Sequence, residues 1–155
     1  MSYKEMFFPE LVILDAIVSS KEEAFMLASN ILLKKEFVKE SYLSGLIKRE
    51  NTFPTGLITQ FLNIALPHTD SEHIARPFVM IMRLKEEIVF KQMGDDQEMM
   101  VKDLFFLGIK EAKMQSGLLS LFMNLFVKEA FVNDYIIQDA SDKIYQLFEK
   151  YIKEG

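Results

Sequence analysis

Both histidines of the chain, His68 and His73, lie in residues 48–73 (KRENTFPTGLITQFLNIALPHTDSEH), with two of the four prolines. His68 follows a short apolar step, Ile64-Ala65-Leu66, and then Pro67; Thr69, Asp70 and Ser71 come after it. The step reads as a strand that stops at Pro67, because proline has no N–H to give to a ladder. The imidazole is then expected on the turn just past the strand, at a sheet edge. Polar neighbours there would hold one ring nitrogen while the other faces out. A neutral imidazole held in that way is a nucleophile of the kind that accepts a phosphoryl group. Its ordinary pKa of about 6.5 leaves it largely neutral near pH 7. The competing reading is a histidine satisfied in the core or incidental to a loop.

Phosphoryl transfer needs positioning and stabilisation of negative charge more than covalent chemistry. Arg49 is the residue suited to that, since a guanidinium presents a fixed fork of donors. It reads equally well as a solvated helix-end arginine or a partner for Glu50. Thr55 and Gly56 follow Pro54 in a tight segment, where a hydroxyl and backbone N–H groups could bind phosphate oxygens; an ordinary turn is the alternative. Glu50, Gly56 and Asp70 are expected to support this set from behind. His73 lies five residues beyond His68, a step that does not align on one helix face. Without cysteine or a third histidine, a metal site is not expected, and His73 reads as a loop residue or one that supports the site from behind. No G-x-S-x-G elbow, Walker A loop or G-x-G-x-x-G fingerprint is present.

The elements that must position these residues alternate between strand and helix. Residues 11–14 (LVIL) form an apolar run typical of a buried strand, whereas residues 1–10 carry no pattern. Ser20 with Glu23 gives a capping-box start to a helix, followed by a stripe of Ala24, Leu27, Ala28, Ile31 and Leu32. Tyr42, Leu43, Leu46 and Ile47 predict a second helix to about Glu50, weakened by Gly45. Short strands are expected at residues 63–66, 78–84, 88–90 and 103–109, with a turn at 94–96. Helical spacing returns from Ser116, then around 131–137, then through Ile144, Leu147, Phe148, Tyr151 and Ile152. The pattern is that of an α/β fold, one sheet of about four or five strands flanked by helices.

The chain as a whole sets limits on function. Its 155 residues, half of them apolar, suit one domain, residues 1–155, with a single well-filled core. Cysteine is absent, which excludes disulfides and thiolate chemistry. The net charge of −5 arises from 18 basic and 23 acidic residues mixed along the chain, so nucleic acid is not an expected partner. There is no signal-peptide pattern, and no apolar run approaches a membrane span; a cytoplasmic protein without membrane insertion is the simplest reading. Fourteen phenylalanines and ten methionines are mostly core.

Taken together, Arg49-Glu50, Phe53-Pro54-Thr55-Gly56-Leu57 and Ile64-Ala65-Leu66-Pro67-His68 resemble the signature of enzyme IIA domains of the bacterial phosphoenolpyruvate-dependent sugar phosphotransferase system, fructose/mannitol class. The likeness is greatest to galactitol-type members and extends to Phe90-Lys91-Gln92-Met93 and Asp95-Asp96. It implies that His68 accepts a phosphoryl group from the phosphocarrier HPr and passes it to a IIB component, which serves a membrane IIC component. It also implies a single mixed sheet of about four or five strands flanked by helices, Arg49 and Thr55 as groups stabilising the phosphoryl oxygens, and no cofactor. Mannitol- and fructose-type members often carry a second active-site histidine before the helix that follows the last central strand. Here that region reads Lys113-Met114-Gln115-Ser116-Gly117, and Gln115 is the stand-in. The alternative is a regulatory module of the same type whose phosphorylation state is read by another protein. A carrier histidine that meets two partners in turn is expected in a shallow, exposed patch. Phe53, Leu57, Ile58 and Phe61 are candidates for it, or for core.

Overall fold

The computed structural model describes residues 2–152. In chain order its elements are β1 (Phe7–Ala16), α1 (Lys21–Lys34), α2 (Tyr42–Thr52), β2 (Gly56–Leu57), β3 (Ile64–Ala65), β4 (Phe78–Lys91), β5 (Glu98–Gly108), α3 (Met114–Phe126), α4 (Glu129–Ile137) and α5 (Ser141–Tyr151). The five strands form one mixed sheet in the order β1-β4-β5-β3-β2. β1 is parallel to β4 and β3 to β5, whereas β4–β5 and β2–β3 are antiparallel.

Strand alternation divides the apolar side chains between two layers. From β4 and β5, Phe78, Met80, Met82, Leu104 and Phe106 face one way, packing with Ala24, Phe25, Ala28 and Leu32 of α1 and Tyr42 and Leu46 of α2. Val79, Ile81, Phe105 and Leu107 face the other way, against α3, α4 and α5. Phe105 lies at the centre of an aromatic cluster, 5.0 Å from the ring of Phe122, 5.3 Å from Phe126 and 6.0 Å from Phe148. Both faces of the central strands are therefore buried, which accounts for their nearly continuous apolar runs.

The expected class, one mixed sheet flanked by helices, is the one observed. Several boundaries differ. Residues 78–84 and 88–90 are one long strand: the exposed Lys85, Glu86 and Glu87 break the apolar pattern and form an irregularity in the pairing with β5, which resumes in a shifted register at Ile88. β5 begins five residues earlier than expected, where Met99 and Val101 are buried and Met100 and Lys102 are not. β1 also starts earlier, at Phe7, and the two-residue β2 was not anticipated. Ser20 does cap α1: its hydroxyl accepts the Glu23 N–H at 3.1 Å, while the Glu23 carboxylate accepts the N–H of Ser19, one residue further out than in a strict capping box. Gly45 in α2 has a packing reason. A β-carbon there would lie 2.7 Å from the ring of His73, which is fixed by a 2.8 Å hydrogen bond between its Nδ1 and Ser41 Oγ.

Candidate functional site

The last turn of α2 sends two adjacent residues in different directions, about 100° apart around the helix. Glu50 turns inward and is buried. Its carboxylate accepts the Thr55 hydroxyl at 2.7 Å and the Thr55 N–H at 2.8 Å. Burial pushes the Glu50 carboxyl above its usual range, and the two Thr55 bonds oppose that. Thr55 in turn accepts the N–H of Leu66 on its carbonyl, at 3.1 Å. One buried carboxylate thus ties the turn after α2 to the chain leaving β3. Gly56 lets this turn approach the sheet: a β-carbon there would lie 2.6 Å from the carbonyl oxygen of Lys91. Its own carbonyl accepts the Met93 N–H at 2.7 Å, docking the turn between β4 and β5.

His68 lies just past β3. The regular ladder ends at Ala65, but the chain stays beside β5. Pro67 lacks a donor yet accepts the Leu107 N–H at 2.9 Å, and His68 bridges to Leu107. This is the C-terminal end of a parallel strand pair, where open α/β sheets commonly place their ligand sites. The imidazole Nδ1 is 2.8 Å from the carbonyl oxygen of Leu66. A carbonyl only accepts, so Nδ1 carries the proton and Nε2 keeps its lone pair. The ring is buried, with 5% of the residue exposed. That burial is the largest influence lowering its pKa from the ordinary 6.5; the Leu66 bond opposes it, Arg49 adds to the lowering and Asp70 opposes it.

Arg49 turns outward from the same helical turn. Its guanidinium lies over the Phe53 ring, 4.9 Å from the centroid, and Nη1 donates to Asp70 Oδ1 at 3.0 Å. Nε is buried and has no hydrogen-bond acceptor among the described residues. Arg49 and Asp70 also line a groove of about 490 Å³ with Lys48, Phe53, Glu72 and His73.

The structure therefore brings His68, Arg49 and Asp70 into one electrostatic neighbourhood. It changes how the other expected residues are understood. The ring of His68 is held by the Leu66 carbonyl rather than by Thr69, Asp70 or Ser71, and it is buried rather than set in an exposed patch. Both Thr55 donors are occupied by Glu50, so neither points at a phosphate position. Gly56 is taken up in sheet packing. Gln115 is half-buried in the first turn of α3, and its side chain makes no hydrogen bond to His68, Arg49 or Thr55. Of the four apolar candidates, Phe53 and Ile58 are exposed, at 58% and 42%, whereas Leu57 and Phe61 pack against the core. Among the described residues no group of three or more His, Asp or Glu side chains is placed to hold a metal ion. The Leu66 carbonyl was missed because a main-chain acceptor leaves no mark in residue types.

Known proteins resemble the chain in sequence and in fold. The family model described as "Phosphoenolpyruvate-dependent sugar phosphotransferase system, EIIA 2" matches residues 5–151. The galactitol-specific EIIA component of Escherichia coli (strain K12) is 25% identical over 135 residues, covering 87% of this chain and 89% of the relative. Among solved structures, the mannitol IIA of Escherichia coli superposes with a TM-score of 0.72 at 20% identity, over 90% of this chain and 96% of that one. The complex of Escherichia coli enzyme IIA-mannitol with phosphorylated IIB-mannitol gives 0.73 at 19% identity, over 93% and 99%.

Proposed function

Because the chain belongs to the EIIA 2 family of the phosphoenolpyruvate-dependent sugar phosphotransferase system, we propose that it is a phosphohistidine carrier acting through Nε2 of His68. The observation that carries this reading is the 2.8 Å contact between His68 Nδ1 and the Leu66 carbonyl, which fixes the tautomer with its nucleophilic lone pair on Nε2. In the proposed step the Nε2 lone pair forms a bond to phosphorus as the donor's P–N bond breaks. The electron pair of that bond stays on the donor imidazole. Nδ1 keeps its proton throughout, bound to Leu66. Arg49 supplies the positive charge that meets the phosphoryl oxygens, and its buried, unpaired Nε is a donor in want of an acceptor. Glu50 and Thr55 hold the turn that seats Leu66, and so act on the histidine through the backbone. Gln115 has no part in this proposal.

The donor we propose is phospho-HPr and the acceptor a IIB component serving a membrane IIC partner, with the chain working as one unit, residues 1–155, in the cytoplasm. Support for the IIB partner comes from the likeness to the mannitol IIA solved with phosphorylated IIB. Among the described residues no helix is long and apolar enough to cross a membrane. A galactitol-like hexitol or pentitol system is the best-supported setting, on the 25% identity to a galactitol-specific component. The test is phosphoryl transfer from phosphoenolpyruvate through enzyme I and HPr. The wild type is expected to form an adduct labile in acid and stable in alkali, and His68→Ala none. Adduct on His68→Ala, or none on wild type with demonstrably phosphorylated HPr, would refute the assignment.

A further inference from the structure

Arg49, whose charge acts on the His68 ring, is paired with Asp70, two residues beyond the histidine. The contact is a single bond, Nη1 to Oδ1 at 3.0 Å, not a two-pronged one. The two side chains are unequally free, with Asp70 66% exposed and Arg49 28%. Asp70 therefore has room to turn into water, while Arg49 is held between the Phe53 ring and the loop. The backbone around Asp70 is anchored, its carbonyl accepting the Thr69 hydroxyl at 2.9 Å and the His73 N–H at 3.3 Å, so the side chain is what moves. Both charges act on the His68 ring. We propose that Asp70 is a positioning residue, the counter-ion that Arg49 surrenders when His68 is phosphorylated, and that this exchange keeps the phosphoryl group transferable.

The exchange follows from the relative strengths of the contacts. An exposed ion pair is weak, and a phosphoryl dianion binds a guanidinium more strongly than a single-bonded carboxylate does. Before transfer, Asp70 keeps the guanidinium neutralised and aimed. After transfer it competes for that guanidinium and repels the new charge. Without Asp70 the phosphorylated chain would hold its group too firmly to pass it on freely. The two residues are 21 apart in the sequence, and their pairing needs α2 and the loop after β3 brought face to face.

The inference rests on the carrier reading, and the experiment separates the two. Full-length chain is equilibrated with HPr, enzyme I and limiting phosphoenolpyruvate, and the phospho-chain to phospho-HPr ratio is read by phosphorus NMR. Asp70→Asn is expected to shift this ratio about fivefold toward the phospho-chain, and Asp70→Glu to stay near wild type. In an Arg49→Gln background, Asp70→Asn is expected to lose most of its effect, because the route through the guanidinium is gone. The Arg49 Nε–H resonance is expected to move on phosphorylation of wild type. An Asp70→Asn ratio equal to wild type, or shifted toward phospho-HPr, would overturn the proposal and leave the carrier role standing. So would a full shift persisting without Arg49, which would assign Asp70 to direct repulsion. No phosphorylation of wild type would remove both readings.

Discussion

At the scale of the residue, the chemistry depends on which proton state His68 keeps. Burial disfavours the imidazolium, so the folded ring titrates below the ordinary 6.5. Between that lowered value and about 6.5 the unfolded chain binds the proton and the folded chain does not. Stability therefore falls as pH drops through that window and is unaffected by this group above it. The proposed nucleophile, the His68 ring, stays neutral into the same acidic window. An NMR titration of the His68 ring is expected to give a midpoint below 6.5. The initial rate of acceptance, with the donor in excess, is expected to fall off at a lower pH than an unperturbed imidazole would give. A midpoint above 6.5 would mean that Asp70 and the Leu66 carbonyl outweigh burial.

At the scale of the element, the site depends on how α2 ends. Consecutive residues diverge around the helix, so Arg49 reaches the groove while Glu50 reaches the turn beneath it. Thr55→Val removes the hydroxyl from a 2.7 Å bond and leaves one oxygen of a buried carboxylate without its donor. The expected cost is about 1–3 kcal/mol of stability, measured by denaturant unfolding. If Thr55 acts through the turn and not on the phosphoryl group, the transfer rate of the folded variant is expected to fall less than tenfold. A drop of about 10²-fold or more would instead place its hydroxyl on the transferred group. The sequence marked Glu50 and Thr55 as site neighbours but not as partners of each other, because a five-residue separation across a helix end has no fixed geometry until the turn is built.

At the scale of the molecule, a second polar cluster ties the helical layer to the sheet, well away from the histidine. Arg83 of β4 donates to the Tyr135 and Gln138 carbonyls at the end of α4, at 2.8 and 2.6 Å, and to Asp103 of β5 at 3.2 Å. Tyr135 adds its hydroxyl to the same carboxylate at 2.7 Å. Arg83→Leu would strand a buried aspartate and uncap α4, at a cost of about 3 kcal/mol or more, seen as a lower unfolding midpoint. Asp103 lies four residues from Leu107, about 13 Å along β5, so phosphoryl acceptance at low temperature is expected to be retained. Equal loss of both would mean that this cluster shapes the histidine's surroundings too.

Much of the protein was legible in its residues, and the reason differs between its parts. Periodicity showed one sheet and its flanking helices, since the apolar stripes follow from burial on fixed repeats; the strand directions that make the sheet mixed are seen only in the pairing. The Pro67-His68 step, with Arg49 and the Pro54-Thr55-Gly56 turn upstream, pointed to phosphoryl chemistry because that chemistry calls for a nucleophile and a fixed cation. Other features were settled only in three dimensions. The merging of residues 78–84 and 88–90 into β4 required β5 as its neighbour, and the capture of Thr55 by Glu50 required the turn. The free Nε2 on which the proposed step relies depended on where the Leu66 carbonyl lay, and the Arg49–Asp70 pairing on where α2 met the loop after β3. Each of these is a contact between groups whose separation is set by packing, and side-chain types and spacing carry no information about it.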